Sequence, residues 1–169
     1  MPLPDAEIVY LELEAKLARG LDYHAHLIGI HSGGAWIAER LACSLPGEHP
    51  LGFLDVSFYR DDYDRRGLKP KVQRSAIKFD VTGKRILLID DVLYTGRSVR
   101  AAINELFDYG RPASIELAVL VDRGGRELPV EPQYVGIRLA MAREKSIVLA
   151  RDAGGRFSFT LEDEKPANA

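Results

Sequence analysis

The 169-residue chain has a single cysteine, Cys43, so it can form no internal disulfide and assemble no cysteine-based zinc site. A reducing, cytoplasmic setting is the expectation. Its four histidines, His24, His26, His31 and His49, lack the paired spacing of a metal-ligand set. No apolar run approaches the length that spans a bilayer, and no basic segment followed by an apolar stretch opens the chain, so neither membrane insertion nor secretion is expected. Charge of one sign is not in excess. With 23 Lys and Arg against 25 Asp and Glu, the net charge of -2 excludes coating of nucleic acid by bulk attraction, and any RNA contact must be local. Gly33-Gly34 is followed by Ala35-Trp36, where a nucleotide P-loop needs Lys-Ser or Lys-Thr, and no dinucleotide fingerprint occurs. Repeats and linkers are missing too, which leaves one domain over 1–169.

What is present is an ordinary globular balance, 46% hydrophobic and 28% charged. The pattern alternates strands with helices. Residues 5 to 19 read as an amphipathic helix ended by Gly20, and His26 to Ile30 as a short strand. The loop His31-Ser32-Gly33-Gly34 then leads into a helix over Ala35 to Ser44, on which Trp36 and Cys43 read as core positions. Leu51 to Tyr59 is a strand, and the polar stretch Arg60 to Arg74 is a loop whose length points to function. Arg85 to Ile89, Ile115 to Val121 and the shorter Tyr134 to Leu139 are further strands, with a helix over Val99 to Tyr109. Ser146 to Ala150 and Arg156 to Leu161 can pair across Gly154-Gly155, and Glu162 to Ala169 reads as a frayed tail. The expected fold class is α/β, a central, mainly parallel sheet flanked by helices, with ligands at the carboxyl ends of the strands.

The chemistry concentrates in Ile86-Leu87-Leu88-Ile89-Asp90-Asp91-Val92-Leu93-Tyr94-Thr95-Gly96-Arg97-Ser98. Four apolar residues deliver two adjacent acids to the end of a strand, and a Thr-Gly-x-Ser turn leads into a helix. Asp90 and Asp91 can accept hydrogen bonds from vicinal sugar hydroxyls. The N–H groups of residues 94 to 98, with the Thr95 and Ser98 hydroxyls, can enclose a phosphate. Taken singly, the acids would be solvated strand ends and Thr95 or Ser98 a helix cap; their joint occurrence predicts a site for 5-phosphoribosyl 1-pyrophosphate (PRPP).

These residues resemble the type I phosphoribosyltransferase family, and within it the branch that joins uracil phosphoribosyl transfer to control of pyrimidine genes. The resemblance runs from about residue 26 to residue 136. It rests on Leu54 to Asp62, Ile86 to Ala102, Gly110-Arg111-Pro112, Leu117 to Gly124, Arg126-Glu127-Leu128-Pro129 and Tyr134-Val135-Gly136. It implies the type I fold with a flexible flap and a small hood, and transfer from PRPP to uracil giving UMP and pyrophosphate with Mg2+. His31, Ser32, Gly33 and Gly34 would hold pyrophosphate, and the flap from Arg60, with Asp61 and Asp62, would close over it. Asp90 and Asp91, which carry the chemistry at the ribose, can also meet the metal that PRPP brings. A homodimer or larger homo-oligomer and binding of pyrimidine-gene leader RNA are implied as well. Tyr94 stands where purine-using relatives carry an aspartate, which favours a pyrimidine. Arg123, at the end of a strand on the same side, is either a base or phosphate contact or a structural ion pair. In the family the first loop usually reads Thr-Arg-Gly, a histidine follows the Arg-Gly pair and a lysine follows Tyr-x-Gly. Here the matching residues are Ser32-Gly33-Gly34, Gly125 and Ile137, so fewer cations are available for RNA. The alternative function is a nucleotide-sensing, RNA-binding regulator with weak or no transferase activity.

Overall fold

A computed structural model describes residues 2–57 and 75–164. The flap stretch Arg60 to Arg74, with Asp61 and Asp62, and the last five residues lie outside the described residues. The elements run α1 (Ala6–Gly20), β1 (His26–Ile30), α2 (Gly33–Ser44), β2 (Leu51–Leu54), β3 (Arg85–Leu93), α3 (Arg97–Tyr109), β4 (Ser114–Asp122), β5 (Tyr134–Arg138), β6 (Lys145–Arg151) and β7 (Phe157–Asp163). Strands β1 to β5 form one parallel sheet in the order β2-β1-β3-β4-β5.

Why a parallel sheet forms follows from the strand sequences. Leu27, Leu87, Ile89, Ala118 and Leu120 face one side with Leu13, Leu17, Ile37 and Leu41 of α1 and α2. Ile28, Ile30, Ile86, Leu88, Leu117 and Val119 face the other, with Val99, Ala102 and Leu106 of α3. Both faces are covered, so the strands read as continuous apolar runs. The antiparallel ribbon β6-β7 stands apart from the sheet and packs on the α1-α2 layer through Ile147, Leu149 and Phe157. Burying Phe157 contributes about 2–3 kcal/mol.

Several boundaries differ from the sequence reading, each for a local reason. Strand β2 stops at Leu54, because the Asp55 carboxylate accepts the Ser57 N–H at 2.9 Å and turns the chain. Helix α2 begins at Gly33, two residues early, so Gly33 and Gly34 belong to its first turn. Cys43 is exposed. It follows the buried Leu41 by two positions, which places it on the outer face of the helix. Glu162 and Asp163 are not frayed: they pair with Ser146 and Lys145 at the end of β7.

Glu7 closes the two ends of the fold on each other. Its carboxylate receives Arg40 through two bonds of 2.9 and 2.6 Å, and the Phe157 N–H at 2.7 Å. The Arg40 hydrogen bond, opposed by burial and helped by the Phe157 N–H, holds the Glu7 carboxyl below its ordinary value. A depressed carboxylate contributes stability that is present above its unfolded pKa and lost as pH falls through the folded one. Glu7→Gln should therefore cost about 1–2 kcal/mol at neutral pH, and the difference from the unaltered chain should shrink below the ordinary glutamate range. Urea unfolding at neutral pH and at pH 3 measures both.

Candidate active site

Strand order alone marks one place for a ligand. From β1 the chain passes through α2 to β2 on one side, and from β3 through α3 to β4 on the other, so β1 and β3 are neighbours whose connections diverge. A crevice opens at their carboxyl ends. In register, Gly29 lies opposite Ile89, which sets His31 to Gly34 beside Asp90 and Asp91.

The two loops interlock through missing side chains. A Cβ on Gly34 would collide with the Ile89 carbonyl oxygen and stand 2.9 Å from the Asp90 Cα, and one on Gly33 would stand 2.6 Å from the Asp91 Cγ. A Cβ on Gly29 would sit 2.6 Å from the Ala35 Cα. Only glycine lets the first turn of α2 lie against the acidic end of β3. Ser32 precedes that turn without a side-chain capping bond, and the His31–Ser32 peptide is cis. His31 is half-buried with its ring 5.4 Å from that of Phe53. Burial lowers its pKa, against the opposing pull of Asp55 and Glu39, so the imidazole is neutral at physiological pH.

The acids differ from the sequence expectation of two carboxylates at an exposed strand end. Strand β3 runs on past Ile89 because Val92 and Leu93 still pair with Val121 and Asp122. Asp90 is therefore 2% exposed, and only Asp91 is half-buried. Asp90 Oδ1 accepts the Asp91 N–H at 2.9 Å, and Asp91 Oδ1 accepts the Val92 N–H at 2.9 Å. Asp91 is thus the acid within reach of a ligand in the crevice, with Asp90 behind it.

Beyond Leu93 the chain turns through Tyr94, Thr95 and Gly96 into α3. Gly96 precedes the helix with φ +92°, the left-handed region that favours glycine, and supplies no side-chain cap. Thr95 Oγ1 lies 3.3 Å from the Arg97 N, and Ser98 is half-buried in the first helical turn. The first N–H groups of α3 have no carbonyl one turn back and point toward the crevice end of the helix, where an anion is favoured. Val92 and Leu93, still paired with β4, link the acids to the turn; Leu93 is buried and Val92 half-buried.

A second loop, quoted in the sequence for its resemblance but not for this role, holds this turn. Asp122 ends β4, and Gly124 and Gly125, with φ +73° and +79°, fold the chain back so that Arg126 reaches Asp122 Oδ2 at 2.8 Å. Burial pulls the Asp122 carboxyl up, but the Arg126 bond, the Gly124 N–H and the nearby Arg126 and Arg138 charges outweigh it and leave it below its ordinary value. The signal was legible: two adjacent glycines between an acid and an arginine four residues on.

Arg123, which the sequence leaves between two roles, is held by the fold on several sides. It is 5% exposed, its guanidinium lies 3.9 Å from the Tyr94 ring centroid, and it bonds Ala142 O at 3.0 Å and Glu164 Oε1 at 3.4 Å. Its buried Nε has no hydrogen-bond partner. Gly125 is what admits the Tyr94 ring, since a Cβ there would stand 2.8 Å from Tyr94 Cδ2. Trp36 is half-buried against the core, with Arg151 5.0 Å from its ring.

A phosphoribosyl transferase domain model matches residues 10–146. The chain belongs to the phosphoribosyltransferase family. Within this family it is 51% identical over 167 residues to the Bifunctional protein PyrR of Ralstonia nicotianae, covering 94% of each chain. Among solved phosphoribosyltransferases, a hypoxanthine-guanine enzyme of Bacillus anthracis superposes with a TM-score of 0.64 at 17% identity, over 83% of this chain and 84% of that one. A purine phosphoribosyltransferase of Pyrococcus horikoshii does so with a TM-score of 0.60 at 31% identity, over 79% and 81%. The relationship at 51% identity reaches past residue 136, where the motif resemblance stopped. Among the described residues no group of three or more His, Cys, Asp or Glu could hold a metal by itself, and no helix is long and apolar enough to cross a membrane.

Proposed function

We propose that this phosphoribosyltransferase uses PRPP and uracil, forming UMP and pyrophosphate. Uracil N1 bonds to the ribose C1 as the C1–O bond to pyrophosphate breaks, the electron pair leaves with pyrophosphate, and the N1 proton passes to the departing pyrophosphate. The observation that carries this reading is the crevice between β1 and β3, where the Gly33-Gly34 turn lies against Asp91. Asp91, backed by Asp90, accepts hydrogen bonds from the ribose hydroxyls, and the turn from Val92 to Ser98, Arg97 included, receives the 5-phosphate. The loop His31, Ser32, Gly33 and Gly34 takes the pyrophosphate through the backbone N–H groups that follow His31, whose own N–H is held by Leu54 O at 2.8 Å. Arg60, Asp61 and Asp62 serve the flap in this reading. Tyr94 stands on the base side with Arg123 stacked behind it, a neutral surface where a purine enzyme needs an acid. Self-association into a homodimer or larger homo-oligomer belongs to the same reading.

Mg2+ fits this donor set. One oxygen each of Asp90 and Asp91 is occupied by a backbone N–H. Asp91, the half-buried carboxylate of the crevice, with Asp90 behind it, resembles the one or two carboxylates that, with substrate oxygens and water, hold this ion. Bound there it would neutralise charge building on the leaving pyrophosphate. The protein's own groups orient the ribose and keep water from the reacting carbon.

The late basic residues support enzyme before RNA regulator. Arg138, Arg151 and Arg156 lie 3.7, 2.7 and 3.6 Å from Asp122, Glu39 and Asp5, and Lys145 pairs with Asp163. Arg143, the fifth of these late cations, is exposed; the other four make a surface of mixed charge, and a stripe of unpaired cations would be needed to track RNA phosphates. The name Bifunctional protein carried by the Ralstonia relative keeps leader-RNA binding as the second reading.

Pyrophosphate release from PRPP and Mg2+, compared with uracil, orotate, hypoxanthine and guanine, tests the proposal. Turnover is expected with uracil alone and is expected to stop on addition of EDTA. A folded chain that binds PRPP or UMP but turns over none of the four bases would favour the nucleotide-sensing regulator.

A further inference from the structure

The carbonyl groups of the turn that follows β3 are all held from one side. Leu93 O accepts the Arg123 N–H at 3.0 Å, and Thr95 O accepts the N–H groups of Glu127 and Leu128 at 2.9 and 3.2 Å. Between them, Tyr94 O accepts Arg126 Nη1 at 3.1 Å. In a planar trans peptide the C=O of one residue and the N–H of the next point in opposite directions. Holding the carbonyls of residues 93, 94 and 95 toward residues 123–128 therefore aims the N–H groups of Tyr94, Thr95 and Gly96 the other way, out of that loop.

Arg126 makes the bond at the centre of this row and ties it down twice more. Its Nη2 reaches Asp122 Oδ2 at 2.8 Å and its Nε reaches Val130 O at 2.9 Å. Val130 is also the wall behind Gly96, where a Cβ would stand 3.2 Å from Val130 Cγ2. One half-buried guanidinium thus fixes the end of β4, the loop after it and the peptide between Tyr94 and Thr95. A lysine has one donor centre and cannot span three acceptors in a plane.

We propose that Arg126 is a positioning residue for PRPP: without touching substrate, it pre-orients the backbone donors of the Tyr94–Gly96 turn toward the phosphate. This rests on the reading of that turn as the phosphate site. Interactions fixed in advance are formed equally in the ground and transition states, so the effect falls on substrate binding and leaves the chemical step alone.

The experiment compares the unaltered chain with Arg126→Met and Arg126→Lys, by steady-state kinetics with PRPP and uracil and by calorimetric titration with PRPP. Arg126→Met is expected to raise the KM and the Kd for PRPP about 10- to 30-fold, with kcat within about threefold and the KM for uracil unchanged. Arg126→Lys should recover less than half of the loss. In an Arg126→Ala chain, added methylguanidinium should restore part of the PRPP affinity, which a merely structural role would not predict. Unchanged PRPP affinity in a folded Arg126→Met chain overturns the proposal, as does a loss shared equally by kcat and both KM values. If Arg126→Met does not fold, Arg126→Lys decides by the same two measurements. An unaltered chain that fails to bind PRPP at all overturns the reading of the turn, and the proposal with it. One that binds PRPP as tightly as its Arg126 variants overturns the proposal alone.

Discussion

Asp91→Asn is expected to lower kcat/KM for PRPP about 10- to 100-fold while leaving the melting temperature nearly unchanged. The carboxylate is the half-buried member of the pair at the mouth of the crevice, and one oxygen is already bound to the Val92 N–H. Asn can keep that bond through its carbonyl oxygen, so local structure survives. What it cannot do is accept two further hydrogen bonds with a full negative charge behind them, because its second terminal atom is a donor. A charge-assisted hydrogen bond to a ribose hydroxyl contributes about 1.5–3 kcal/mol, which sets the range. Unchanged steady-state kinetics would place the ribose elsewhere. Asp90→Asn differs in kind: at 2% exposure its cost is expected to fall on stability as well.

Gly34→Ala is the second large effect, and it falls on folding first. The added methyl would collide with the Ile89 carbonyl oxygen and stand 2.9 Å from the Asp90 Cα, both backbone atoms of the central strand. A flexible side chain could swing aside; β3, hydrogen-bonded to β1 and β4, cannot. Overpacking against backbone costs about 3 kcal/mol, the upper end of its usual range, which lowers Tm by roughly 6–12 °C for a chain of this size. Whatever fraction folds has the first turn of α2 pushed away from β3 at the crevice, so the KM for PRPP should rise as well. Thermal melting alongside kinetics separates the two, and a Tm within a degree or two of the original would mean α2 and β3 do not lie this close.

The strands were legible because each is an apolar run bounded by polar or turn residues, as in Ile86 to Ile89 and Leu117 to Val121. The segment Ile86 to Ser98 stood out as a site candidate because its parts are consecutive in sequence. Boundaries failed where pairing outvoted polarity. Asp90 and Asp91 look like a strand end, yet β4 goes on pairing through Leu93 and keeps them inside the strand. Gly33-Gly34 looks like a loop, yet close packing against β3 makes it the start of a helix. Cys43 sits among apolar neighbours and still faces outward, because two positions from Leu41 is the far side of the helix. Two of the three Arg126 contacts were hidden for another reason: Tyr94 O and Val130 O are main-chain carbonyls, which every residue owns and no sequence pattern marks.

The joining of α1 to β7 has a consequence for how the molecule is made. Tyr10 meets Phe157 edge-on at 5.6 Å between ring centres, and Glu7 takes the Phe157 N–H. The inner surface of the first helix is thus completed by almost the last strand. On the ribosome, a nascent chain that has released everything up to β5 holds a finished parallel sheet and an α1-α2 layer with an uncovered patch where Ile147, Leu149 and Phe157 belong. Until the ribbon emerges, that patch is the sticky part of the molecule. Domain-wise folding during synthesis can assemble the β1–β3 crevice early, but protection from aggregation comes only with β6 and β7, the last elements to be made.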